Sequence, residues 1–393
     1  MQLPSGALRN IALAVVFTAL LGGCSGSGGT AVAHVPSTAP SSTPTPGAST
    51  TPSARPSATA SSSPSPSPTP SARPSATPSS SPSPSPSPSP SPSPASPNIY
   101  VANAGGSITV YAGNPSGTVA GTPLGTITGS NSQLLGISGI AVDASGLIYV
   151  SNPSNDSVSV FAANPRGTLN EAPLAMIIGN NTGMNGSLGI ALDAFGNIYV
   201  ANETFGAITA YAANPVGTLN EAPFATITGS NTGLTTPRGL AVDASGKIYA
   251  PGGDQFANAG TVTVYAANPA GTLNEAPLAT IAGSSTGLNV PWDVAVDALG
   301  KIYVANNNSP SITVYAANPS GTLNEAPLAT IAGSSTGLNG PTGVAVDASG
   351  KIYVVNASNA TITIYAANPS GTLNEAPLAT LTGLGSPAAV TVH

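Results

Sequence analysis

The sequence predicts an all-β fold built as a closed ring of six repeats. A strand motif, Ile-Tyr followed by Val or Ala, recurs at spacings of 49, 50, 50, 54 and 50 residues, with its tyrosines at Tyr100, Tyr149, Tyr199, Tyr249, Tyr303 and Tyr353. Repeats of this length with several short strands are typical of β-propellers. The chain also ends out of phase, because residues 387–393 match 341–347 and supply the strand missing before Tyr100. We therefore expect a six-bladed β-propeller closed by pairing of the C-terminal strand with the N-terminal blade.

Each repeat predicts four strands, here named a to d in chain order. In the last complete repeat, strand a covers 343–347, strand b 351–355, strand c 361–366 and strand d 378–382. Strand c alternates polar and apolar residues, as a half-buried strand does. No segment of the repeat has the period or the length of a helix.

The first 97 residues differ in composition from the repeats and predict two further segments. Arg9 precedes an apolar run at 11–21, which is shorter than the ~20 residues of a membrane-spanning helix and fits a signal peptide. The run ends in Leu21-Gly22-Gly23-Cys24, which resembles the lipobox of bacterial lipoproteins. That resemblance implies a signal peptide at 1–23 and lipidation at Cys24. The protein would then be secreted and anchored at the bacterial cell envelope, and Ser25, in place of an Asp, favours the outer membrane or cell surface.

Residues 24–97 predict a disordered tether that follows the lipidated cysteine. The segment is rich in Ser, Pro, Thr and Ala, and proline lacks the backbone donor that helices and sheets need. Such a chain favours extended polyproline II. Residues 98–393 are then the only segment able to bury a core.

The charge of the chain restricts its partners. The formal net charge is −6 and only 6% of residues are charged, which argues against nucleic acid, because nucleic-acid binding depends on neutralising phosphates. The single cysteine lies outside the repeats, so we expect no disulfide in the fold. We expect a monomer.

The repeat motif itself resembles NHL repeats and the related YVTN-type repeats. The resemblance rests on Pro-x-Gly-Val-Ala-Val-Asp-x-x-Gly-x-Ile-Tyr-Val-x-Asn at 341–356 and extends over 98–393. It implies a propeller but is poorly specific for function. The b–c turn departs from NHL repeats in lacking the Asn-Arg pair, and the c–d loop is longer than theirs.

Residues that recur at the same phase in most repeats are expected to serve the fold. All eleven tyrosines recur in this way, as do ten of the fourteen acids, in the Asp-x-x-Gly a–b turns and the Asn-Glu-Ala-Pro c–d loops. We expect the tyrosines to pack in the core and the turn aspartates to accept backbone hydrogen bonds. The acids left out of phase are Asp156, Glu203, Asp254 and Asp293.

The residues that depart from the repeat predict a binding face. In an up-and-down blade the d–a and b–c connections lie on one face, and we expect the a–b turns and c–d loops on the other. Exposed aromatic side chains with arginine are typical binding anchors. The sequence thus favours a protein or glycan ligand, with these candidate binding residues: Glu203, Phe205, Arg238, Asp254, Phe256, Trp292 and Asp293. The alternative is a purely structural surface protein whose loops have drifted.

The second alternative is a Ca²⁺-dependent, lactonase-like hydrolase acting in the central channel. Oxygen ligands suit calcium, and Asp293 is its best candidate ligand. An asparagine also recurs at the end of strand b, at Asn103, Asn152, Asn202, Asn306 and Asn356. These asparagines could line the channel as ligands, but we favour their interpretation as Asx-turn residues. No positioned general base is evident, so the sequence favours a non-catalytic protein with no catalytic residue, cofactor or metal.

Overall fold

The computed structural model describes residues 97–253 and 260–393, and these form a six-bladed β-propeller. The all-β prediction is confirmed: the described residues contain thirty strands and one short 3₁₀ helix, Ser130–Ser132. The predicted signal peptide, Cys24, the tether and residues 254–259 lie outside the described residues. No helix within the described ranges is long and apolar enough to cross a membrane.

Strands a to d of each blade pair in antiparallel order, and strand a lies innermost. From blade 1 to blade 6, the a strands are Pro387–Val392, Gly139–Val142, Ser187–Leu192, Ala241–Val242, Pro291–Val296 and Pro341–Val346. The b strands are Ile99–Asn103, Ile148–Asn152, Ile198–Asn202, Ile248–Gly252, Ile302–Asn306 and Ile352–Asn356. The c strands are Ser107–Tyr111, Ser157–Phe161, Ala207–Tyr211, Thr261–Tyr265, Ser311–Tyr315 and Thr361–Tyr365. The d strands are Gly125–Thr128, Ala175–Ile178, Ala225–Ile227, Ala279–Ala282, Ala329–Ala332 and Ala379–Thr382.

Each sheet has a fifth strand, which corrects the expected four strands per blade. This strand, named e, comes from the c–d loop of the following blade and pairs in parallel with strand d. It covers the outer edge of the sheet, where strand d would otherwise leave backbone groups unpaired. The e strands of blades 1 to 6 are Gly167–Leu169, Gly217–Leu219, Gly271–Leu273, Gly321–Leu323, Gly371–Leu373 and Gly117–Ala120.

Two pairings join the ends of the chain. In blade 1 the C-terminal strand pairs antiparallel with the first b strand, with Ile99 opposite Val392 and Val101 opposite Val390. In blade 6, strand d pairs in parallel with Gly117–Ala120, which comes from the loop of blade 1. The N- and C-terminal parts of the ring are therefore hydrogen-bonded at the inner and the outer edge.

The apolar core consists of six clusters, and each contains residues of two neighbouring blades. Ile99 and Val101 of blade 1, for example, belong to the same cluster as Tyr353 and Val355 of blade 6. All eleven tyrosines are buried, which agrees with the core packing expected of them. Each blade is thus stabilised mainly by its neighbours, as in other stacked repeats.

The Asp-x-x-Gly turns explain why their aspartates recur in phase with the tyrosines of strand b. In blade 6, Asp347 Oδ1 accepts hydrogen bonds from the backbone N–H of Ser349 and Lys351, both within 3.0 Å. Its other oxygen accepts the hydroxyl proton of Tyr353 at 3.0 Å. Burial raises the pKa of Asp347, but these hydrogen bonds outweigh burial and lower it below 3.8. The turn therefore holds an ionised carboxylate that ties strand a to strand b.

The c–d loops do not stay on the face where we expected them. Strand e is part of the c–d loop and runs parallel to strand d. The loop therefore passes along the outer edge of the neighbouring sheet and reaches the rim of the propeller where the d–a loops begin. There, Asn170 Oδ1 accepts the N–H of Asn131 at 2.9 Å, and the carboxamide lies so close to Gly129 that a Cβ at this glycine would sit 2.6 Å from it. Each rim thus carries part of the constant repeat.

Candidate binding site at one end of the channel

The six a strands enclose a central channel of about 250 Å³. Its lining is mostly small and branched apolar side chains from all six blades. Arg238, Trp292 and Asp293 interrupt this apolar wall at the end of the channel where the d–a loops enter. Three of the residues that depart from the repeat therefore line one cavity.

Arg238 is buried and paired with Glu203. Its Nε donates to Glu203 Oε1 at 2.9 Å, and the two side chains are 2% and 32% exposed. The Nη1 atom of Arg238 is buried without a hydrogen-bond partner. A buried charge is costly unless it is paired, so Glu203 compensates Arg238 while one arm of the guanidinium stays unsatisfied.

Trp292 adds a second contact to the same guanidinium. The Arg238 Cζ lies 4.8 Å from the centre of the indole ring, within the ~6 Å of a cation–π interaction. Glu203 follows strand b of blade 3, Arg238 precedes strand a of blade 4, and Trp292 lies in strand a of blade 5. The Glu203–Arg238–Trp292 cluster thus links three consecutive blades.

Asp293 occupies a position that is glycine in four other blades, at Gly139, Gly189, Gly239 and Gly343. These glycines allow close approach of the a strands: a Cβ at Gly239 would lie 2.3 Å from Asp293 Oδ1. Asp293 Oδ2 accepts the N–H of Val344 in blade 6 at 3.0 Å. Although it keeps some exposed surface, its enclosure by protein raises its pKa to about 7, against the lowering effect of backbone hydrogen bonds from Val344 and Val294.

Phe205 is an exposed aromatic side chain of this face. It lies in the b–c turn of blade 3, two residues after Glu203, and is 60% exposed. Asp254 and Phe256, the candidates from the insertion in blade 4, lie outside the described residues. Asp156 has a structural contact instead, because its Oδ1 accepts the N–H of Gly186 in the next d–a loop at 2.7 Å.

The sequence placed Arg238 on the predicted binding face, and the structure buries this side chain there. Its pairing with Glu203 was not predicted. A signal for it was present: a carboxylate in the b–c turn of one blade and a cation in the d–a loop of the next, on the same rim. Phe205 matches the expected exposure.

Three of the recurring asparagines use both ends of their side-chain amide inside the blade, which is the contact pattern neither of an Asx turn nor of a channel ligand. Asn202 Nδ2 donates to Thr209 Oγ1 in strand c at 3.0 Å, and its Oδ1 accepts the N–H of Asn185 in the d–a loop at 3.0 Å. Asn306 and Asn356 make the same pair of contacts. Each of these three amides therefore fixes a d–a loop to its own blade, whereas Asn103 Oδ1 is buried without a hydrogen-bond partner.

The alternative of a calcium-dependent hydrolase requires a set of oxygen ligands in the channel. Within residues 97–253 and 260–393, no group of three or more His, Cys, Asp or Glu side chains is placed to hold a metal ion. Asp293, its best candidate ligand, accepts backbone hydrogen bonds from Val344 and Val294.

Fold and site together define a six-bladed β-propeller with one modified channel end. The NHL repeat family model matches residues 288–315 and 338–365. No curated protein matches the sequence.

Three solved structures contain similar chains. The chain is similar to one in the crystal structure of a nidogen/laminin complex, with 14% identity, a TM-score of 0.50, and coverage of 75% of this chain and 98% of that one. A putative 6-phosphogluconolactonase from Bacteroides fragilis has 13% identity and a TM-score of 0.49, with coverage of 78% and 100%. A protein of unknown function from Bacteroides caccae has 13% identity and a TM-score of 0.47, with coverage of 76% and 98%.

Proposed function

We propose that this propeller is a non-catalytic binding protein of the bacterial cell envelope, which binds a protein or glycan ligand on the face formed by its d–a and b–c connections. The observation that carries the proposal is the contact of Glu203, Arg238 and Trp292 across three blades. Phe205 lies on the same face and is exposed.

The cluster supports binding because the fold does not require it. The position of Arg238 is occupied by Ser138, Leu188, Thr342 and Ala388 in other blades, which form their sheets without a charge there. A buried guanidinium with an unsatisfied Nη1 destabilises the domain. Side chains that lower the stability of the fold and lie at one end of a channel are typical of functional sites.

The position of the chain ends agrees with attachment from the other rim. Asn98 and His393 exchange backbone hydrogen bonds of 2.7 and 3.0 Å where strand a meets strand b in blade 1. That point lies on the rim opposite Arg238. Residue 98, where the predicted tether ends, therefore lies on the rim away from the proposed binding face.

The test compares two phenylalanines of one blade. Phe205 and Phe195 are 60% and 77% exposed, and Phe195 lies in the a–b turn on the opposite rim. The full-length protein, Phe205→Ala and Phe195→Ala are applied to a glycan array and to immobilised envelope proteins. We expect Phe205→Ala to weaken binding about tenfold or more, as binding anchors do, and Phe195→Ala to bind like the wild type.

Equal loss in both variants, or binding that is insensitive to Phe205 and sensitive to Phe195, would contradict the proposed face. Absence of any ligand in both screens would favour a purely structural surface protein. Thermal melts of the variants verify that a loss of binding is not a loss of fold.

A further inference from the structure

We propose that the channel end at Arg238, Trp292 and Asp293 binds a single sugar residue at the end of a glycan. This inference rests on the proposed function and deepens it, because it selects glycan over protein and assigns the contacting side chains.

The size of the channel limits what can enter it. Its volume of about 250 Å³ is below the ~300–1,000 Å³ of sites that enclose a drug-sized ligand. An oligosaccharide or a folded loop is too large, whereas one ring at the end of a longer ligand is of suitable size. The rest of the ligand would lie on the outer face, near Phe205.

The hydrogen-bonding groups of the site require a partner that both donates and accepts. Arg238 Nη1 is a donor without an acceptor. Asp293 is an acceptor, and its two oxygens have more lone pairs than the two backbone N–H groups bonded to it can occupy. A sugar hydroxyl accepts from the first and donates to the second, so neighbouring hydroxyls of one ring satisfy both.

The charges of the site favour a neutral ligand. Arg238 is already neutralised by Glu203 at 2.9 Å, and Asp293 is the acidic side chain of the described channel lining. Above pH 7, where Asp293 is mostly ionised because its pKa is about 7, a ligand carboxylate would add a second negative charge close to it, with no unpaired cation in the described channel lining to compensate that charge. Neutral hydroxyl groups avoid that repulsion while keeping the hydrogen bonds.

The apolar surfaces also fit a sugar ring. The a strands supply small apolar side chains such as Ile140, Ile190 and Val344, and Trp292 supplies a partly exposed indole. The C–H face of a pyranose packs against such surfaces. Because Nη1 is covered by protein, we expect the indole, which lies over the guanidinium, to shift when the sugar binds.

Trp292 is the single tryptophan of the chain, so its fluorescence reports directly on this site. The full-length protein is titrated with the methyl glycosides of glucose, galactose, mannose and N-acetylglucosamine. Methyl glucuronide and short acetylated peptides form two further arms. We expect a saturable change in Trp292 fluorescence with at least one neutral glycoside and a weaker response to the glucuronide.

The variant Asp293→Asn is conservative in shape and can still accept the N–H of Val344. At pH 8, where Asp293 is mostly ionised because its pKa is about 7, we expect the change to weaken sugar binding roughly tenfold, since hydrogen bonds to a charged group are lost. Phe195→Ala, on the other rim, should titrate like the wild type, and thermal melts confirm that both variants fold.

No response to any sugar, a response only to peptides, or an unchanged affinity in Asp293→Asn would overturn the sugar site. Failure of the sugar site can be distinguished from failure of the proposed binding function. If Phe205→Ala still abolishes binding to an immobilised ligand while Trp292 does not respond to sugars, the binding face stands and the sugar site does not.

Discussion

The guanidinium of Arg238 lies 4.8 Å from the centre of the Trp292 ring, in the neighbouring blade. Together with Glu203, these side chains form one contact network at one end of the channel. Their arrangement makes the stability of the domain and the proposed binding depend on the same few groups.

Replacement of Glu203 by Gln should destabilise the domain. The change leaves the 2%-exposed Arg238 side chain without its counter-ion, and loss of a partner by a buried charged group costs roughly 1–3 kcal/mol. Urea unfolding of the two proteins measures the difference. The control is Glu375→Gln, an exposed acid of the constant repeat, which should change the free energy of unfolding by less than about 0.5 kcal/mol. Equal effects of both changes would contradict the importance of the ion pair.

Tyr353→Phe should cost more stability than Tyr100→Phe. The Tyr353 hydroxyl donates to the Asp347 carboxylate at 3.0 Å. In blade 1 the position of this aspartate is occupied by His393, and the Tyr100 hydroxyl donates to Asn164 Oδ1 at 3.4 Å. We expect a loss of roughly 1–2 kcal/mol for Tyr353→Phe and less than half of that for Tyr100→Phe. Thermal melts of both variants test the order, and a larger effect at Tyr100 would contradict it.

Deletion of residues 388–393 should strongly destabilise the ring. The deletion exposes the edge of the first b strand and removes the buried Val390, which packs with Ile99 and Val101. Burial of such a side chain alone contributes roughly 2 kcal/mol. His393→Ala is the control, because the hydrogen bonds of His393 with Asn98 come from its backbone. A truncated protein with an unchanged melting temperature would contradict closure through this strand.

Asp293 should make the domain less stable as the pH rises from about 4 to about 7. Its carboxyl group has a pKa of about 7 in the folded protein, against 3.8 ordinarily. The folded state therefore binds the proton more tightly, so its stability falls over this window and then stays level. Asp293→Asn should remove that part of the pH dependence and raise the melting temperature at neutral pH.

The stabilities of the wild type and Asp293→Asn should be compared only above about pH 4. Below it, Asp143, Asp243 and Asp347, whose pKa values are lowered by hydrogen bonds that outweigh burial, lose their own stabilising contribution. Identical pH dependence of wild type and Asp293→Asn between these limits would contradict the raised pKa.

The fold could be predicted from the sequence because its signals repeat. The recurring tyrosines of strand b predicted six blades. The apolar segment that precedes His393 predicted the inner strand that blade 1 otherwise lacks. Strand e could not be predicted in this way. Segments such as Gly167–Leu169 have three residues, and their partners lie in another repeat, so their pairing depends on how the blades stack.

The site was predicted only in part, for a related reason. Subtracting the repeat identified Glu203, Arg238 and Trp292 as the residues that differ, and the up-and-down topology placed them on one face. Their contact depends on the distance between neighbouring blades, which the sequence does not state. The burial of Arg238 follows from that contact and from the narrow channel.

Backbone hydrogen exchange with and without the ligand found in the binding screen distinguishes the two rims, because it reports on both at once. We expect slower exchange on ligand binding in the b–c turn at 203–206, in the d–a connection at 235–238, and at 289–293, where a d–a connection enters strand a of blade 5. We expect no change in the a–b turns at 143–147, 193–197 and 347–351. Protection confined to the a–b turns would contradict the assignment of the Glu203–Arg238–Trp292 rim as the binding face.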